Sequence, residues 1–357
     1  MSTDEGRVED LTGRLRFINA SDLTSVTRGM PYRERFGPEY ISRLRKGGVT
    51  ALHASLTVWF YDTFPAAMKR MGAVLRFLRE FEGDLALVRT AEDIESAEAQ
   101  GRIGVILHFH SATPLDDDLG LLEIYARSGL RVMQLTYQGR NLVGDGCAEI
   151  NPGGLSSFGI RVVEEMNRLG ILVDVAHAGP RTFADALEVS RAPVINSHGC
   201  VRALREHPRN LSDQQIRALA DKGGVFGIMA KSDCLAPRGA TEGTTLDEYL
   251  AHVEYVAKLV GVDHVAIGLE NGYGVDDTDL QGLLADVKLR SHRPYEQGRV
   301  PKDYDFEKFY SAKGVEDISR AKRNLIRGLL GLGFVEDDIR KILGGNLLRL
   351  YGKVWKG

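Results

Sequence analysis

The chain has 357 residues, 43% of them hydrophobic and 27% charged, with a formal net charge of −3 and a pI near 6.3. That composition can fill a large core, and the absence of a basic block excludes nucleic acid and acidic membrane surfaces as main partners. The acidic start MSTDEGRVED lacks a secretion signal, no apolar run reaches the ~18–20 residues of a membrane span, and Cys147, Cys200 and Cys234 form neither a disulfide framework nor a CxxC zinc site, so a cytoplasmic protein is expected.

Short apolar runs alternate with helical patterns along the whole chain. The predicted strands are LRFIN (15–19), VTALHASL (49–56), RIGVILHF (102–109), RVMQLT (131–136), ILVDVA (171–176), APVINS (192–197), GVFGIM (224–229) and HVAIGL (264–269). Most are near-continuous apolar runs, as parallel strands covered on both faces require. Between them, LLEIYARSG (121–129) and FGIRVVEEMNRLG (158–170) read as helices closed by Gly129 and Gly170. SDQQIRALADKGG reads as a helix opened by Ser212 and closed by Gly223. Eight strands with mostly helical connections predict an α/β fold, a (β/α)8 TIM-type barrel over residues 1–357 with a C-terminal helical extension from Val315. No glycine-rich dinucleotide fingerprint follows any strand. Residues 231–245 and 287–312 fall after the seventh and eighth strands, where loops build the mouth of a barrel.

Polar residues collect at the predicted strand ends. LHFH supplies His108 and His110, VDVAH supplies His177, VINSH supplies His198, GLE supplies Glu270, and NASD supplies Asp22. Each histidine alone reads as an ordinary hydrogen-bonded strand terminus. Together they converge on one mouth, and imidazoles from three strands with a carboxylate from a fourth make a zinc-type donor set that would activate water. Arg209, in HPRN, is a planar cation suited either to a substrate carboxylate or to a surface salt bridge.

GLSSFGIRVVEEMNRLGILVDVAHAG (154–179), SRAPVINSHGCVRALREHPRN (190–210) and ADKGGVFGI (220–228) resemble the membrane (renal) dipeptidase family, peptidase family M19, zinc hydrolases on an amidohydrolase-type barrel. The resemblance runs from about residue 15 to GGNLLRLYGKVW (344–355). It implies that His177 and His198 ligate metal and that Arg209 holds the substrate carboxylate. Elsewhere the chain departs from the family pattern. INASDLTS replaces the family's Asp-x-His-x-Asp, so Asp22 matches its last carboxylate only after a one-residue slip. His110 stands in place of the bridging glutamate, Tyr137 in place of a substrate-polarising histidine, and Glu270 in place of the proton-handling aspartate.

Without the shared carboxylate, nothing offsets the repulsion of two close dications. The expectation is therefore one zinc ion on His110, His177 and His198, with Asp22 as a fourth ligand and His108 behind them. Glu270 and Tyr137 would be catalytic, and Arg209 with Tyr137 would bind a small carboxylate-bearing substrate whose amide-type bond is hydrolysed. Turnover of simple dipeptides is doubtful on this reading. The alternatives are a lyase or isomerase on the same barrel, and a metal-free binding protein. The resemblance further implies a homodimer.

Overall fold

The computed structural model describes residues 5–22, 37–57, 63–236, 243–270 and 311–355. Nine strands appear among them: β1 (Ile18–Asp22), β2 (Ala51–Thr57), β3 (Leu85–Leu87), β4 (Ile103–Phe109), β5 (Leu130–Gln134), β6 (Leu172–Asp174), β7 (Ile195–Gly199), β8 (Val225–Ile228) and β9 (Val265–Ile267). Eight of them run in the order β1-β2-β4-β5-β6-β7-β8-β9, every pair parallel. The Glu270 N–H donates to the Ser21 carbonyl at 3.0 Å, and the Leu269 N–H to Asn19 Oδ1 at 3.0 Å, which brings the last strand back to the first. The result is a nearly closed α/β barrel of the TIM type, and its eight strands overlap the eight predicted runs.

The additional strand, β3, pairs with the first half of β4, leaving the second half to β5. A three-residue strand is too short to show a side-chain period, which is why the sequence pattern passes over it. The helices obey their local signals. Ser156 caps Ser157–Leu169 through the Gly159 N–H, and Gly170 ends it with φ +67°, a left-handed turn that favours glycine. Ser212 and Gln215 form a reciprocal capping box on Asp213–Asp221.

Two hydrophobic layers result from strand alternation. Val105, Leu107, Phe109, Val173 and Phe226 pack outward against the helices. Ile18, Ile106, Val132, Leu172, Ile195 and Val225 fill the barrel interior together with Leu347, Leu350 and Tyr351 of the helix Asn346–Val354. The C-terminal extension is therefore the floor of the barrel. Tyr351 stacks on Trp355 with ring centres 4.0 Å apart, and its hydroxyl lies 2.6 Å from His53 Nε2. Of the two predicted mouth segments, residues 237–242 of the first and 287–310 of the second lie outside the described residues. No helix among the described residues is long and apolar enough to cross a membrane.

Candidate metal centre

Alternation also decides which polar side chains enter the barrel. His108 and His110 have the parity of the inward Ile106, so both rings turn inward, His108 the deeper, with ring centres 4.5 Å apart. Asp22 ends β1 just after a register shift, and Glu270 follows β9 by three residues; both are buried. On β7 the register against β8 shifts between Asn196 and Gly199. Such an irregularity re-aims side chains, and here consecutive residues, Ser197 and His198, both face the site.

Three of the predicted residues come together closely. The His110 and His198 rings stack at 5.0 Å, and Glu270 Oε1 lies 3.6 Å from His198 Nε2. One donor atom from each of the three lies within 4.8 Å of the others, and all three residues are buried. His177, with φ +61°, stacks on Tyr137 at 4.2 Å and meets the His198 ring edge-on at 5.2 Å. Neither His177 nor Asp22 belongs to the 4.8 Å group. Glu270 also has a positive φ, +55°. A left-handed non-glycine residue costs energy, and two at one mouth fit a site held in shape by its surroundings.

The electrostatics favour neutral, lone-pair-bearing imidazoles. Burial pushes His110, His177 and His198 well below the ordinary histidine range, with the Arg209 charge adding to the effect on each. Burial alone takes His108 down to about 3. Burial raises Glu270, against the pull of Lys231 and Arg209. It also raises the Tyr137 phenol, which therefore stays an O–H donor at neutral pH.

The donor atoms themselves fit a cation. His110 Nδ1, His198 Nε2 and both ring nitrogens of His177 are buried with no hydrogen-bond partner among the described residues. Leaving such atoms unsatisfied costs about 1–3 kcal/mol each. Two imidazole nitrogens and a carboxylate oxygen suit a borderline ion such as zinc. A second group, His207, Asp233 and Cys234, also brings donors within 4.8 Å. There, however, Lys231 Nζ lies 3.7 Å from Asp233, and the backbone N–H of Arg209 donates to His207 Nδ1 at 3.1 Å. An ammonium beside the carboxylate opposes another cation, so that group reads as bracing for Arg209. The buried Arg209 guanidinium donates to the His198 carbonyl at 2.7 Å and so reaches the rim of the centre.

Sequence reading missed three residues that hold the ligands: Ser55, Asp174 and Ser197. Ser55 Oγ lies 2.7 Å from His110 Nε2. Asp174 Oδ1 accepts the N–H groups of Ala176 and Ser197, while Oδ2 accepts the Ser197 hydroxyl at 2.5 Å and lies 3.1 Å from His108 Nε2. Asp174 sits three residues before His177 and Ser197 one before His198, but linear spacing gives no sign that they meet.

A parallel barrel that gathers imidazoles and a carboxylate at its strand ends belongs to the amidohydrolase-type class of barrels. The family model for membrane dipeptidase (peptidase family M19) matches residues 34–287, and the chain belongs to that family. It is similar to an amidohydrolase from Pseudomonas aeruginosa, 31% identical, with 98% of this chain and 99% of that one covered at a TM-score of 0.83. It is 29% identical over 296 residues to the dipeptidase verJ of Clonostachys rogersoniana, covering 82% of this chain and 66% of that protein. The chain spans 62–71% of the curated relatives it matches. A metallo peptidase from Rhodobacter sphaeroides, liganded with a phosphinate mimic of the dipeptide L-Ala-D-Ala, shares the fold at 19% identity, a TM-score of 0.76, and 96% and 99% coverage.

Proposed function

We propose that the protein is a metal-dependent hydrolase that cleaves an amide-type bond in a small carboxylate-bearing substrate, with one metal ion per chain. The supporting observation is the convergence of His110, His198 and Glu270 donors within 4.8 Å, beside unpartnered imidazole nitrogens. These three residues would hold the ion, with His177 next to them as a further nitrogen donor. A zinc ion there would supply a Lewis acid and a water of lowered pKa. The name of the curated relative and the dipeptide mimic bound by the Rhodobacter enzyme support hydrolysis of a peptide-like bond.

The chain's own groups divide the remaining work. Glu270 has two oxygens, so one can ligate while the other takes a proton from the attacking water and returns it to the leaving nitrogen. Tyr137 stays protonated and can donate a hydrogen bond to the substrate oxygen. Arg209 anchors the carboxylate through its planar fork. His110 occupies the strand position where a shared carboxylate would be needed to hold two dications together, which supports the single-ion count.

Metal analysis after purification without chelators tests the count, and product masses test the reaction. About one equivalent of metal and products that have gained one water are expected. Two equivalents would overturn the single-ion centre, and a product isomeric with the substrate would overturn hydrolysis. Simple dipeptides are expected to turn over weakly, because shifting a catalytic group by about 1 Å can cost on the order of a hundredfold.

A further inference from the structure

We infer that Asp174 and Ser197 form a relay that fixes the tautomer of His198 and thereby keeps its metal-facing nitrogen bare. Asp174 is fully buried, with Oδ2 3.1 Å from His108 Nε2, and nothing in the proposed reaction employs it. Its Oδ1 accepts two backbone N–H groups, from Ala176 at 2.9 Å and Ser197 at 3.1 Å. Burial raises the Asp174 carboxyl above its ordinary range, and the Ser197 hydroxyl and the two backbone donors pull against that rise. The backbone pair holds the group in one orientation, with Oδ2 turned to Ser197.

The other oxygen, Oδ2, takes the Ser197 hydroxyl proton at 2.5 Å. A hydroxyl has one proton to give. With it committed to Asp174, the 2.7 Å contact between Ser197 Oγ and His198 Nδ1 can only be a hydrogen bond in which the ring N–H donates to oxygen. The proton of the neutral imidazole is therefore on Nδ1. Nε2, which lies 3.6 Å from Glu270 and has no hydrogen-bond partner among the described residues, presents its lone pair to the centre. Without the relay, a neutral imidazole divides its proton between both nitrogens, and each Nε2-protonated molecule must lose that proton before it can bind a cation. Asp174 and Ser197 are positioning residues, since Ser197 touches the ligand, Asp174 acts through Ser197, and neither touches the reacting atoms.

The effect on metal affinity rests on the single-ion reading above, whereas the tautomer itself can be read in metal-free protein. Nitrogen-15 NMR of imidazole-labelled apoprotein, with His198 assigned by comparison with His198→Gln, gives the tautomer directly. The expected signal in the parent is a protonated Nδ1 and a bare Nε2. Ser197→Ala should relax His198 to a mixture. Asp174→Asn should reverse it: Oδ1 still accepts the two backbone N–H groups, so the amide NH₂ takes the place of Oδ2 and donates to Ser197. The hydroxyl must then donate to Nδ1, which moves the ring proton to Nε2. Zinc affinity, measured by chelator competition, should fall about 10–100-fold in both variants, and Ser197→Thr, which restores the hydroxyl, should recover it. Circular dichroism identifies any variant that fails to fold, and the parent spectrum, assigned against His198→Gln, decides the tautomer even if the Ser197 and Asp174 variants fail. An Nε2-protonated His198 in the parent overturns the relay, as does unchanged tautomer and affinity in folded Ser197→Ala. A parent that binds no metal but shows the Nδ1 proton retains the relay and refutes the metal reading alone.

Discussion

At the residue scale, Arg209 has two tasks for one guanidinium. It donates to the His198 carbonyl at 2.7 Å and, on the proposed reading, has its remaining N–H groups for a substrate carboxylate. A lysine has the charge without the fork, so Arg209→Lys cannot serve both acceptors. Losing one charged hydrogen bond costs about 1.5–3 kcal/mol, which corresponds to a rise in KM of about 10–150-fold. Steady-state kinetics on any cleaved substrate checks this, and an unchanged KM would reduce Arg209 to a structural role. Residues of this kind were legible in the sequence where strand parity governs them. His108 and His110 face the interior with Ile106 as the two-residue period dictates, whereas Asp22 follows a register irregularity in β1 and Glu270 lies past β9 with φ +55°. His198 was placed correctly at a strand end, but its direction depends on an irregular register that no pattern announces. Asp174 and Ser197 were illegible as partners because a hydrogen bond across neighbouring strands depends on inter-strand stagger, which a single strand does not encode.

At the scale of elements, the strands flanking the centre meet at unusually close quarters. A Cβ built on Gly268, just past β9, would come 1.9 Å from the Ser197 carbonyl oxygen, and one on Gly227 in β8 would come 2.1 Å from the same atom. The obstacle is backbone, which cannot rotate out of the way. Gly268→Ala must therefore push β7 aside, along with the serine between Asp174 and His198. Overpacking of this type costs typically about 1–3 kcal/mol. Chemical denaturation should show that loss together with weaker zinc binding, whereas a stable Gly268→Ala with parental affinity would mean that β7 yields freely. The eight barrel strands and the capped helices were readable because each carries a local signal, a buried apolar run or a cap. β3 was not, since Leu85–Leu87 is three residues long and takes its identity from pairing with β4.

For the molecule as a whole, the C-terminal segment carries a large share of the stability. Leu347, Leu350, Tyr351, Val354 and Trp355 are buried against the barrel interior, and the Trp355 indole N–H donates to the Arg131 carbonyl at 3.1 Å. Burying five such side chains contributes about 7–15 kcal/mol, as much as the whole net stability of a typical domain, about 5–15 kcal/mol. Deleting residues 346–357 should therefore leave a chain without a cooperative thermal transition and open to protease. A truncated protein that melts like the parent would show that the barrel closes by itself. The sequence identified this segment as helical; its role as a floor emerges only once eight strands have closed around a space that needs filling.

That floor also governs traffic. Among the described residues, Tyr351 lies under His53 and the C-terminal helix fills the base of the barrel, so on the proposed reading substrate and products share the mouth. If the proposed hydrolysis takes place there, the fragment lying deeper would wait for the one nearer the mouth, and release would follow a fixed queue.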